Sequence, residues 1–118
     1  EFRRVLFRSM SVNKAKNLLK KVGLTNRSDH YPSQLSGGEK QRISIARAVV
    51  NNPQVILADE PTGSLDLQTA KEIFGLLKNQ INKERLIIFA THNRFLANKS
   101  DCLLEIVDGN IKSTNVRV

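Results

Sequence analysis

Apolar residues recur at three- and four-residue steps through Val12, Ala15, Leu18, Leu19 and Val22, and Gly23 follows where a left-handed cap belongs. That spacing predicts an amphipathic helix. Residues 25–35 (TNRSDHYPSQL) are polar and hold Pro32, which predicts a loop delivering the chain to Leu35. A second helix is expected from about Gly38 to Val50, with Ile43, Ala46, Val49 and Val50 on one side and Lys40, Arg42 and Arg47 elsewhere. Asn51-Asn52-Pro53 stops it. The unbroken apolar run Val55 to Ala58 predicts a strand buried on both faces, as in a parallel sheet covered by helices on each side. Pro61 and Gly63 end it. Leu67, Ala70, Ile73, Phe74, Leu77 and Ile81 predict a third helix, and Leu86 to Ala90 a second fully apolar strand. Those three elements make a βαβ unit. Leu103 to Val107 and Ile111 flank Asp108-Gly109-Asn110, whose glycine tolerates the positive φ of a hairpin turn. The order argues an α/β fold, its first two helices forming a lobe off the sheet.

Composition narrows the class. The 118 residues have room for one domain, and no apolar run approaches the ~18 residues that span a bilayer. The single cysteine, Cys102, excludes an intrachain disulfide and is expected to be a small buried apolar residue beside Leu103. Nineteen Lys and Arg against eleven Asp and Glu give a net charge of +8, which raises nucleic acid or an anionic surface as partners. The basic residues are spread along the chain and aromatics are only 5%, so a platform for stacking bases is not expected. Glu1 to Ser9 (EFRRVLFRS) differs from the rest, with three arginines among Phe2, Val5, Leu6 and Phe7. It reads as a strand, a basic anchor, or a non-native or truncation scar, and residues 1–11 are set apart on that ground.

The chemistry-bearing residues sit at strand ends and one helix start. Open α/β sheets bind ligands at the carboxyl ends of their strands, and the two strands here end in Asp59-Glu60 and Thr91-His92. Asp59 is placed to hold Mg²⁺, and Glu60 to polarise a nucleophilic water. His92 lies one strand-helix-strand crossover beyond Glu60, so the fold returns it to the same edge, where an imidazole could hydrogen-bond a γ-phosphate and its attacking water. His30, in a polar loop, reads as surface. Ser36, Gly37 and Gly38 open the second helix, which is an ordinary N-cap and also an anion site, since a helix N-terminus carries partial positive charge. Two consecutive glycines favour close approach of a ligand to the main chain.

LSGGE at 35–39, EKQRISIARAVV, VILADEPTGSLD and ATHN together resemble the second half of an ATP-binding-cassette (ABC) ATPase, over Val12 to Val116. The resemblance implies a partial P-loop NTPase fold: a helical signature lobe over 12–50 and an α/β part over 51–118, without the P-loop strand. It makes Leu35, Ser36, Gly37, Gly38 and Glu39 the signature loop, Asp59 the Walker B aspartate, Glu60 the catalytic glutamate, Asp66 the D-loop aspartate and His92 the switch histidine. It implies ATP and Mg²⁺, a head-to-tail partner cassette whose nucleotide meets Ser36 to Gly38, a membrane permease, and a cytoplasmic place against the inner face of the membrane. PTGSLD, THNRFLA and DGNI are similar to the ATPase subunits of macrolide, antimicrobial-peptide and lipoprotein export systems.

Two departures stand beside it. These residues hold no GxxxxGK[ST] motif, so the chain by itself is not expected to bind ATP in cis, and an apolar edge is expected beside Leu86 to Ala90. Asn93 follows His92 where aspartate is commoner. A nucleic-acid- or ribosome-associated ABC ATPase, and a non-enzymatic remnant, are the alternatives.

Overall fold

The computed structural model describes residues 12–117, and the segment set apart at 1–11 lies outside them. Helix α1 spans Val12–Lys21 and buries Ala15, Leu18 and Leu19. Gly23, at φ +75, turns the chain after it. Two short 3₁₀ turns, Thr25–Arg27 and Pro32–Gln34, lead into helix α2 at Gly37–Val49. Strand β1 (Val55–Asp59), helix α3 (Leu67–Lys78) and strand β2 (Leu86–Ala90) form the expected βαβ unit, and the strands pair in parallel from Val55 opposite Leu86 to Asp59 opposite Ala90. A four-residue helix α4 (Arg94–Ala97) follows, then an antiparallel hairpin of β3 (Cys102–Val107) and β4 (Asn110–Val116).

The elements follow from local chemistry. Asp108 at φ +50 and Gly109 at φ +76 form the two-residue hairpin loop, the left-handed pair that matches strand twist. Helix α3 stops at Lys78, one turn short of Ile81, because Asn79 caps it and the next residues close a tight turn. Asn93 starts α4 by accepting the N–H groups of Phe95 and Leu96 at 3.1 and 3.3 Å.

The core lies on one side of the β1–β2 pair. Ile56 packs with Ile45 of α2 and with Ile73 and Leu77 of α3, and Ala58, Leu65 and Ile87 close over that cluster. Phe89 joins Ala70, Phe74 and Leu96, meeting Phe74 edge to face at 5.4 Å between ring centroids. Leu19, Val22, Leu24, Leu35, Ile43 and Ala46 knit α1 to α2.

Two expectations need correction. The strands are not buried on both faces: they alternate, with Ile56, Ala58, Ile87 and Phe89 inward and Val55, Leu57, Leu86 and Ile88 exposed, Leu57 at 75%. All the helices packed against these strands share one face, so among the described residues nothing covers the other. Cys102 is exposed rather than buried. It opens an edge of a hairpin whose strands carry almost no buried residue. The second helix, Gly37–Val49, lies within one residue of the expected start and end, and it touches the sheet through Ile45. Among the described residues no helix is long and apolar enough to cross a membrane.

Candidate functional site

Two groups of residues carry the site. The first is built at the carboxyl ends of β1 and β2. Asp59 closes β1 with an exposed side chain. Glu60 takes φ +43, a left-handed conformation unfavourable for a residue with a Cβ by about 1–2 kcal/mol. That turn is held in place. The Glu60 N–H donates to Ala90 O at 2.9 Å, extending the ladder one residue beyond the strand, and its carbonyl accepts from Gly63 N–H at 3.1 Å.

The bend throws the Glu60 carboxylate toward the end of β2. Oε2 accepts from the Thr91 hydroxyl at 3.1 Å, and Oε1 accepts from the His92 backbone N–H at 2.7 Å. The His92 ring is fully exposed, with Nε2 3.7 Å from Glu60 Oε1. Thr91 Oγ1 in turn accepts from Asn93 N–H at 3.0 Å. The Glu60 carboxylate and the imidazole that the sequence placed on one edge are therefore neighbours, and Asp59 precedes Glu60 with its own side chain exposed. A carboxylate held by two donors keeps lone pairs for a water, and an exposed imidazole beside it can meet an anion arriving from solvent.

Asp59 is the candidate for a cation. Among the described residues no group of three or more carboxylate, imidazole or thiol side chains could hold a metal ion. Mg²⁺ does not need one, since it is commonly held by one or two carboxylates, with phosphate and water oxygens completing its octahedron. The exposed carboxylate of Asp59, next to Glu60, suits that role.

The second group is the start of α2. Ser36 Oγ accepts the N–H of Glu39 at 3.2 Å, and Glu39 Oε1 accepts the N–H of Ser36 at 3.4 Å, a reciprocal capping box. Glu39 Oε2 also accepts from Arg27 Nε at 2.7 Å. The Arg27 guanidinium, ahead of the Ser36 contacts, holds the Glu39 carboxyl below its usual range. The cap leaves the first-turn N–H groups of Gly37 and Gly38 ahead of any intrahelical acceptor.

Packing accounts for Gly38. A Cβ there would stand 2.6 Å from Thr69 Cγ2, so the start of α2 lies directly on the first turn of α3. The glycine pair that suggested an approaching ligand is thus explained at Gly38 by its neighbour helix; at Gly37, a Cβ would meet Leu65 Cδ2 at 3.2 Å. Leu35 is buried in the α1–α2 core rather than facing the loop. Asp66 caps α3 by accepting Thr69 N–H at 3.1 Å, and Thr69, through its hydroxyl and then its N–H, holds the Asp66 carboxyl below its usual value. The Ser36 and Asp66 segments meet through Gly38 and Thr69, while Glu60, Thr91 and His92 form a separate bonded set. Arg27 escaped the sequence reading, because no local spacing rule ties a loop arginine to a carboxylate in the next helix.

Comparison with known proteins places this geometry. The ABC transporter family matches residues 3–63. The lipoprotein-releasing system ATP-binding protein LolD of Wigglesworthia glossinidia brevipalpis is 47% identical over 116 residues, covering 94% of this chain and 51% of that protein. The macrolide export ATP-binding/permease protein MacB of Bartonella henselae is 47% identical over 103 residues, covering 87% of this chain and 16% of its own length. Among solved structures, the dimeric post-hydrolysis state of the ATP-binding cassette MJ0796, bound to ADP and Pi, superposes with a TM-score of 0.75 at 36% identity, over 92% of this chain and 49% of that one. The chain thus spans about half of LolD and of the MJ0796 cassette, and less of MacB.

Proposed function

Because this chain belongs to the ABC transporter family, with the mixed α/β architecture of its ATP-binding cassettes, we propose that it supplies the signature, Walker B, D-loop and switch elements of a transport ATPase. The full protein hydrolyses Mg-ATP and couples that reaction to a separate membrane permease, from the cytoplasmic face. The observation that carries the reading is the fastening of Glu60 across the two strand ends, which sets a carboxylate and the exposed His92 ring side by side at the ligand-binding edge of a parallel sheet.

The roles follow from the chemistry of each group. Glu60 orients and polarises the attacking water, and His92 donates a hydrogen bond to the transferring phosphoryl group. Asp59 would hold Mg²⁺, which when bound neutralises charge on the phosphate oxygens. Ser36, Gly37 and Gly38 turn their first-turn donors toward the nucleotide of a second cassette packed head to tail, with Leu35 anchoring the loop and Glu39 closing its cap. Asp66 fixes the start of α3 beneath that loop. The reported dimer of MJ0796 with ADP and Pi supports the pairing of two cassettes.

The test is Glu60→Gln in the full-length protein that carries these residues. Phosphate release is expected to fall by about a hundredfold or more while ATP stays bound. Hydrolysis at the wild-type rate removes Glu60 from its assigned role.

A further inference from the structure

Arg27 lies outside every motif named above, yet its guanidinium makes the shortest hydrogen bond to the start of α2: Nε donates to Glu39 Oε2 at 2.7 Å. The contact is presented by the core. Leu24 is buried among Leu19, Val22, Leu35 and Ile43, its N–H donates to Leu19 O at 2.8 Å, and Arg27 N–H donates to Leu24 O at 3.0 Å. The 3₁₀ turn Thr25–Arg27 is therefore fixed against the same cluster that seats Leu35, immediately before Ser36.

Glu39 is the third residue of α2, at the helix end where free N–H groups attract anions. Its carboxylate closes the capping box, but its negative charge opposes a phosphoryl group approaching the same N–H groups. The two demands conflict unless the charge is cancelled. Both carboxylate oxygens are engaged, Oε1 by Ser36 N–H and Oε2 by Arg27, and the Glu39 side chain is 23% exposed, so the pair is partly shielded from water and salt.

We propose that Arg27 is a positioning residue of the signature loop: it neutralises Glu39, so that the carboxylate can cap α2 without repelling the nucleotide phosphate that the loop receives. This rests on the reading of Ser36 to Gly38 given under the proposed function. Glutamine at position 39 retains an oxygen for the cap and carries no charge, so it makes Arg27 dispensable for nucleotide affinity.

The experiment is a double-substitution cycle in the full-length protein, reading KM for ATP, kcat and melting temperature. Arg27→Ala is expected to raise KM for ATP about fivefold, the upper range for a half-exposed ion pair, with a smaller change in kcat. On the Glu39→Gln background the same substitution is expected to change KM by less than about twofold. Arg27→Lys, which keeps the charge, is expected to recover most of the loss. Equal KM penalties on both backgrounds, or a lower melting temperature with unchanged KM, overturn the proposal. Ser36→Arg separates the two levels: turnover at the wild-type rate in that variant rejects the signature reading itself. Lost turnover there, with additive Arg27 and Glu39 effects, rejects only the role of Arg27.

Discussion

Glu60 and His92 are joined through the backbone rather than through their side chains alone: the His92 N–H donates to Glu60 Oε1 at 2.7 Å, whereas the imidazole Nε2 stays 3.7 Å away. The orientation of the carboxylate is therefore fixed by the main chain at His92 and by the Thr91 hydroxyl. It depends on the parallel register of β1 and β2, which sets Asp59 opposite Ala90 and brings Thr91 and His92 within reach. The ring itself stays fully exposed to solvent.

Thr91→Val tests that fastening. The substitution removes the hydroxyl that donates to Glu60 Oε2 and accepts from Asn93 N–H, while keeping the side-chain shape. A hydrogen bond to a charged group contributes about 1.5–3 kcal/mol, so kcat for ATP hydrolysis is expected to fall by about tenfold or more, with ATP affinity little changed. Unaltered kcat shows that the His92 N–H alone holds the carboxylate.

Gly38→Ala is expected to destabilise the fold by about 1–3 kcal/mol, because the new Cβ meets Thr69 Cγ2 at 2.6 Å and the Thr69 side chain or one of the two helices must give way. Thr69→Ser removes that methyl group. Urea unfolding of the two single variants and the double variant checks it: the Gly38→Ala penalty shrinks on the Thr69→Ser background, and equal penalties on both backgrounds assign it elsewhere.

Ile73 is fully buried between α2 and β1, touching the cluster of Ile45, Ile56 and Leu77. Ile73→Ala leaves a cavity at the junction of helix and sheet and is expected to cost about 2–5 kcal/mol. Leu67→Ala, on the solvent side of the same helix, is expected to stay within about 0.5 kcal/mol. Comparable losses at both positions rule out this packing scheme.

Acid is expected to weaken the start of both helices. The Glu39 carboxyl lies below its usual 4.5, through Arg27 first and Ser36 next, and the Asp66 carboxyl below its usual 3.8, through Thr69. A depressed carboxyl contributes stability that is fully present above the unfolded value and is lost as pH falls through the folded one. The urea midpoint is thus expected to hold steady at neutral pH and to decline below these two values. Glu39→Gln removes part of that decline. An identical acid profile in the variant means the Arg27 pair does not contribute.

The sequence made the helices legible through their periodicity, since Leu18, Leu19 and Val22 or Ala70, Ile73 and Phe74 declare their inward faces locally. The hairpin turn was equally local, set by Asp108 and Gly109. The edge shared by Glu60 and His92 followed from the βαβ rule, which fixes where a chain returns. What escaped depends on distant partners. Val55-Ile56-Leu57-Ala58 reads the same whether one face or both are covered, because an apolar side chain records a preference for burial and not its outcome. Gly38 likewise reads as a ligand's glycine until Thr69, a residue of another helix, occupies the space beside it. Asn93, an N-cap type three residues before Leu96, held a readable signal for α4 that the brevity of that helix concealed.

The absent Cβ at Gly38 has a mechanical corollary. With Thr69 lodged in that gap and Asp66 gripping Thr69 by its N–H, the leading turns of α2 and α3 share one fulcrum and have no slack between them. A displacement at Ser36 is therefore expected to reach Asp66 as well, since Gly38 and Thr69 are in direct contact between the two caps.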